Sequence, residues 1–133
     1  MYKIAKRDFG YQLTFSGDSM DVPEITRWRE EARAALVGAP KTFGVLIDMR
    51  DLKPGALQPD AQKIMVDGQG LFGKAGMQRS CVILQSATVT MQFERIALES
   101  GIHSFERYIN AAKTPDWEPR AIAWIQKKID PSA

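Results

Sequence analysis

The chain has 133 residues with 44% apolar and 26% charged side chains, a length and composition that exclude a disordered, fibrous or multi-domain protein and predict one domain over 1–133. Eighteen Lys and Arg against sixteen Asp and Glu leave a net charge of +2. The cations are interspersed, the longest cluster being Lys127-Lys128, so no nucleic-acid surface is expected.

No window approaches the ~18 apolar residues of a membrane span. The opening MYKIAKRDFG lacks the apolar core of a signal peptide, and Cys81, the one cysteine, has no partner for an internal disulfide. A cytoplasmic protein is therefore expected. A chain of this mass should expose roughly 7,000 Å² when folded, enough burial to hold together without disulfides or metals.

Tyr2 to Ala5 and Tyr11 to Phe15 alternate apolar and polar residues around Asp8-Phe9-Gly10, which predicts an opening antiparallel hairpin. Asp21 with Glu24 three residues later has the form of a capping box. Val22, Ile25, Trp28, Ala32, Ala35 and Leu36 then recur at helical spacing until Gly38-Ala39-Pro40. Gly44 to Met49 is nearly continuous in apolar residues, the mark of a strand covered on both faces.

Pro59 can open a second helix carrying Ala61, Ile64, Met65, Leu71 and Phe72, with Gly68, Gly70 and Gly73 expected to weaken its last turns. Ser80 to Leu84 reads as another buried strand. Ser86 or Thr88 then caps a helix bearing Val89, Phe93, Ile96 and Ala97, which Gly101 ends. Ser104 to Ala112 gives a weaker strand. Thr114-Pro115 or Asp116 starts a last helix with Ala121, Trp124, Ile125 and Ile129. The order β-β-α-β-α-β-α-β-α predicts an α/β sandwich whose sheet is mostly parallel, with an antiparallel N-terminal hairpin and four helices.

Leu46-Ile47-Asp48, Arg79, Gln92-Phe93 with Arg95 and Ala97, Phe105-Glu106-Arg107, and Ala121 with Trp124-Ile125 together resemble the STAS/SEC14-like (SpoIIAA-like) family of small bacterial proteins. The resemblance spans nearly the whole chain and rests mainly on core positions. It implies a STAS-like fold related to the antagonists of anti-sigma factors and, more loosely, to lipid-binding SEC14-type domains. In the antagonists, phosphorylation of a serine at the start of the helix after the third strand switches partner binding. This chain departs there: from Phe43 through Gln78 it has no Ser, Thr or Tyr, so Leu52 to Asp60 offers no acceptor.

Several groupings carry candidate chemistry. Asp48, Arg50 and Asp51 gather at the carboxyl end of a strand, where open α/β sheets place ligands, and Ser86, Thr88 and Gln92 begin the helix after the next strand. Loop fixing for the first group and helix capping for the second are the simpler explanations. His103 is the one histidine and Cys81 the one cysteine, so no N/S metal site is expected, and no cofactor motif is present. Gly68 to Gly76 lies between helix and strand, the wrong order for a phosphate loop.

The expectation is a non-enzymatic, STAS-like module that binds a protein partner or a small apolar ligand. The alternative is a small enzyme or anion-binding protein using Asp48, Arg50 and Asp51. A homodimer is expected through Leu71, Phe72 and Met77 on the glycine-loosened second helix and just beyond it.

Overall fold

β1 (Tyr2–Arg7) and β2 (Gly10–Phe15) form the antiparallel hairpin, paired from Tyr2↔Phe15 to Arg7↔Gly10. Here and below the structure is a computed structural model, which describes residues 1–132. Gly10 is required at the turn on two counts. Its φ of 147° disfavours any side chain, and a Cβ there would lie 2.2 Å from the Gly44 carbonyl oxygen.

α1 (Val22–Ala35) starts at Asp21, whose carboxylate accepts from the Glu24 N–H at 2.9 Å. Only half of the capping box forms, because the Glu24 carboxylate pairs instead with the N-terminal ammonium at 3.1 Å. The helix turns Ile25, Trp28 and Ala32 inward.

β3 (Phe43–Asp48) is buried along its whole length, as its apolar run predicts. α2 (Pro59–Ala75) is followed by β4 (Met77–Leu84), which begins three residues before the expected Ser80. α3 (Ala87–Ser100) is capped by the Ser86 hydroxyl, accepting from Val89 N–H at 3.3 Å, and is closed by left-handed Gly101. The expected strand Ser104 to Ala112 divides into a single 3-10 turn, His103–Phe105, and β5 (Glu106–Asn110). α4 (Trp117–Lys127) ends before Ile129, which is exposed.

The sheet runs β1-β2-β3-β4-β5 in sequence order, antiparallel between β1 and β2 and parallel thereafter. Three crossovers in one direction, each right-handed, must place their helices on one face. α1, α2 and α3 do share one core there, with Phe15, Val45, Ile47 and Val82 beneath them. α4 covers the other face alone, over Leu46, Cys81, Ile83 and Ile109. The exposed surface, 6991 Å², matches the mass-scaling expectation.

The glycines of α2 do not loosen it. The helix is continuous to Ala75, and Gly68 lies against the Trp28 ring, where a Cβ would come within 2.2 Å of it. That glycine sets how closely α1 and α2 approach. Phe72 and Met77 correct a second expectation: both are buried, and Leu71 is half-buried, so these residues build core and present no apolar patch for a dimer.

Candidate functional site

Asp48 and Arg50 meet, as their placement suggests, but they satisfy each other. The Arg50 guanidinium donates from Nε and Nη2 to the two Asp48 oxygens at 3.0 and 2.9 Å, and the Arg50 N–H adds a third bond at 3.1 Å. The same guanidinium lies 4.5 Å over the Trp117 ring at the start of α4. The Asp48 hydrogen bonds, outweighing partial burial, push the Arg50 pKa above its ordinary value. Asp51 is exposed and adds to the Arg50 shift through its charge.

The Asp48 side chain is 12% exposed and Arg50 36%, so the pair is partly screened. Arg50→Ala is expected to lower stability by about 1 kcal/mol in urea unfolding, because Asp48 keeps its burial and loses its donors. Asp51→Ala should stay within about 0.5 kcal/mol.

Ser86, Thr88 and Gln92 do not converge with this pair. Ser86 is spent on the helix cap, Thr88 is exposed, and Gln92 donates to the Leu57 carbonyl at 3.1 Å. Gln62 donates to the same carbonyl at 3.0 Å. Between the groups sits a loop that fills the carboxyl end of the sheet. The segments around Gly17 to Met20 and Leu52 to Leu57 pair with each other, through Gly17 N–H to Asp51 O, Lys53 N–H to Gly17 O and Met20 N–H to Ala56 O. Met20, Leu52, Ala56 and Leu57 are buried beneath them.

The topology also gives no reason for a ligand crevice there. Ligand crevices in open α/β sheets form where the strand order reverses and neighbouring crossovers part to opposite faces. This strand order does not reverse.

A polar cluster that periodicity did not bring forward lies deeper. Glu106 on β5 is 2% exposed and accepts from the Ser80 hydroxyl at 3.0 Å and the Tyr108 hydroxyl at 2.6 Å. Burial pushes its pKa up to about 7, against the lowering effect of those two donors. Burial and the neighbouring Glu106 carboxylate also push the Tyr108 phenol up. Period-two spacing puts Glu106 and Tyr108 on one face, but the third member, Ser80, comes from the β4–β5 register, in which Ser80 stands beside Glu106.

Cys81 is buried on the opposite face of β4, where desolvation raises its pKa and leaves the thiol without nucleophilic character.

The surface clefts lie elsewhere. One of about 350 Å³ is lined by the β1–β2 turn and by Val37, Pro40 and Thr42; another of about 310 Å³ lies between that turn and Ile122 and Gln126 of α4. A smaller one of about 250 Å³ is bordered by Glu94, Leu98, His103 and Tyr108. It adjoins the outer face of α3, where Met91 and Leu98, seven residues apart and so on one side of the helix, are 72% and 59% exposed.

Among the described residues no helix is long and apolar enough to cross a membrane, and no group of three His, Cys, Asp or Glu is placed to hold a metal ion. No family model, curated protein or solved structure matches the chain.

Proposed function

We propose that this protein is a non-enzymatic, STAS-like binding module of the bacterial cytoplasm that engages a protein partner and itself forms a homodimer. The observation that carries the binding reading is the outer face of α3. Met91 and Leu98 stand in solvent two turns apart, and Glu94, His103 and Tyr108 border the cleft beside Leu98. Exposed apolar side chains rimmed by polar groups suit a protein interface, and methionine adapts to the shape of its partner. A protein partner is favoured over a small apolar ligand because the clefts are open at the surface while Trp28, Met65, Phe72 and Phe93 fill the interior.

The enzyme or anion-binding reading has less support, since the Arg50 cation that would hold a negative charge is already held by Asp48. Affinity capture with tagged protein from the producing cells tests the choice. Wild type and Asp51→Asn should retain the same partner, and Met91→Glu combined with Leu98→Glu should lose it while keeping the wild-type melting temperature within a few degrees. Undiminished capture by the double variant would remove the α3 face from consideration.

A further inference from the structure

The two outer strands of the sheet finish differently. On β5 the Ala111 N–H bonds to the Leu84 carbonyl, which fixes the ladder phase and turns the backbone of Glu106, Tyr108 and Asn110 outward. Two of those three carbonyls are already capped, that of Glu106 by the Arg107 guanidinium and that of Asn110 by the Lys113 N–H, each at 3.1 Å. On β1 the reciprocal bonds between Met1 and Ser16, at 2.9 and 2.7 Å, set a phase that turns the N–H and C=O of Tyr2, Ile4 and Lys6 outward. No hydrogen bond among the described residues reaches these six groups. β1 is thus an open pairing edge and β5 a blunted one.

We propose that β1 is the dimer surface: two copies pair their first strands antiparallel about a two-fold axis at Ile4, joining two sheets into one. This rests on the dimer reading above and adds the surface and the register. Residues facing outward must pair with residues facing outward, which leaves three registers that pair most of the strand. Centring on Lys3 sets two ammonium groups directly opposite each other. Centring on Ala5 sets Lys3 against Arg7. Centring on Ile4 alone opposes no like-charged side chains: Lys3 meets Ala5, Ile4 meets Ile4, Lys6 meets Tyr2, and Met1 meets Arg7 with its ammonium turned back to the Ser16 carbonyl.

In the Ile4 register the Lys6 ammonium reaches a surface suited to it. Glu31 and Glu24 lie close to the Tyr2 phenol, and the neighbouring cations are Arg27 and the N-terminal ammonium, which pairs with Glu24 at 3.1 Å. Lysines on an edge strand ordinarily prevent pairing. Here they prevent every register but one, which limits assembly to a closed pair.

The test uses the full chain. Light scattering over a dilution series should give twice the 14.9 kDa chain mass at micromolar concentration. Ile4→Pro removes an N–H that the monomer leaves unused, so the hairpin survives while the two central inter-chain bonds are lost; dissociation should strengthen by about tenfold or more. Ile4→Cys supplies a second readout that does not depend on tolerating proline. Its two copies would face each other at a Cα separation of about 5.5 Å, within disulfide reach, and should crosslink under mild oxidation. Cys81 is fully buried and does not compete.

Lys3→Cys should not crosslink. A monomer at every concentration overturns the dimer reading and this surface together. A dimer that ignores Ile4→Pro, or that crosslinks through Lys3→Cys and not Ile4→Cys, overturns the proposed surface or register and leaves the dimer reading standing.

Discussion

Gly68→Ala is expected to destabilise the protein by about 2–3 kcal/mol, a fall in Tm on the order of 10 °C, whereas Gly70→Ala two residues away should stabilise it by about 0.5–1 kcal/mol. Helix propensity by itself predicts a gain at both positions, since each glycine sits inside α2. The surroundings reverse the sign at one of them. A Cβ on residue 68 would lie 2.2 and 2.4 Å from Cζ3 and Cη2 of Trp28, while nothing stands within 4 Å of a Cβ on residue 70.

Trp28 cannot swing aside to make room. It is fully buried, with Phe15 packed edge-on at 5.4 Å between ring centres and Phe72 stacked at 6.5 Å. The clash therefore has to be relieved by parting α1 from α2, which loosens the packing along both helices. Thermal unfolding of the two single variants decides the matter. A Gly68→Ala protein that melts at or above wild type would mean that the Trp28 ring yields to the added methyl group at no cost.

The stability of the wild-type protein is expected to fall as pH rises from roughly 5 to 8, and Glu106→Gln should remove most of that slope. Folding raises the Glu106 pKa from 4.5 to about 7, so across this window the folded state holds a proton that the unfolded chain has released. The more protonated state is favoured at low pH. The contribution is therefore complete below the unfolded pKa and is lost as pH rises through the folded one. A shift of this size corresponds to at most about 3 kcal/mol.

Glutamine keeps the geometry: its carbonyl can accept from Tyr108, and its amide can donate to the Ser80 hydroxyl. The charged neighbour facing the cluster from α3 is Glu94, and His103 lies across the adjoining cleft. A His103→Gln background removes the one histidine of the chain from the comparison. Urea midpoints at several pH values for the two Glu106 forms should then diverge, and parallel profiles would exclude Glu106 as the source of the slope.

Asp48 and Arg50 show what placement at a strand end does and does not imply. Charged groups there have access to solvent and to neighbouring loops, so they can bind a ligand or one another with equal ease. Sequence spacing puts the two within reach. What settles their use is the stacking of the guanidinium on Trp117, sixty-seven positions along the chain, and the plug of Met20, Leu52, Ala56 and Leu57 that occupies the neighbouring space. With the charge neutralised locally, the surfaces proposed for partners are the α3 face and the β1 edge instead.

Local chemistry was enough to determine the nine strands and helices and several of their ends. Asp21 and Ser86 cap their helices through bonds spanning three residues, Gly101 closes one in a left-handed turn, and the apolar run of β3 reports burial on both faces. Those signals survive because each depends on neighbours in the chain. Whatever depends on distant partners was decided by the tertiary structure. Gly68 reads as a weak helix former until Trp28 is brought against it, and Phe72 and Met77 read as surface until α1, α2 and the sheet close over them. Glu106 reads as one more charge in a marginal strand until the β4–β5 register sets Ser80 beside it and buries both. Periodicity states which side of an element is apolar; only the packing of the sheet against its helices states what that side meets.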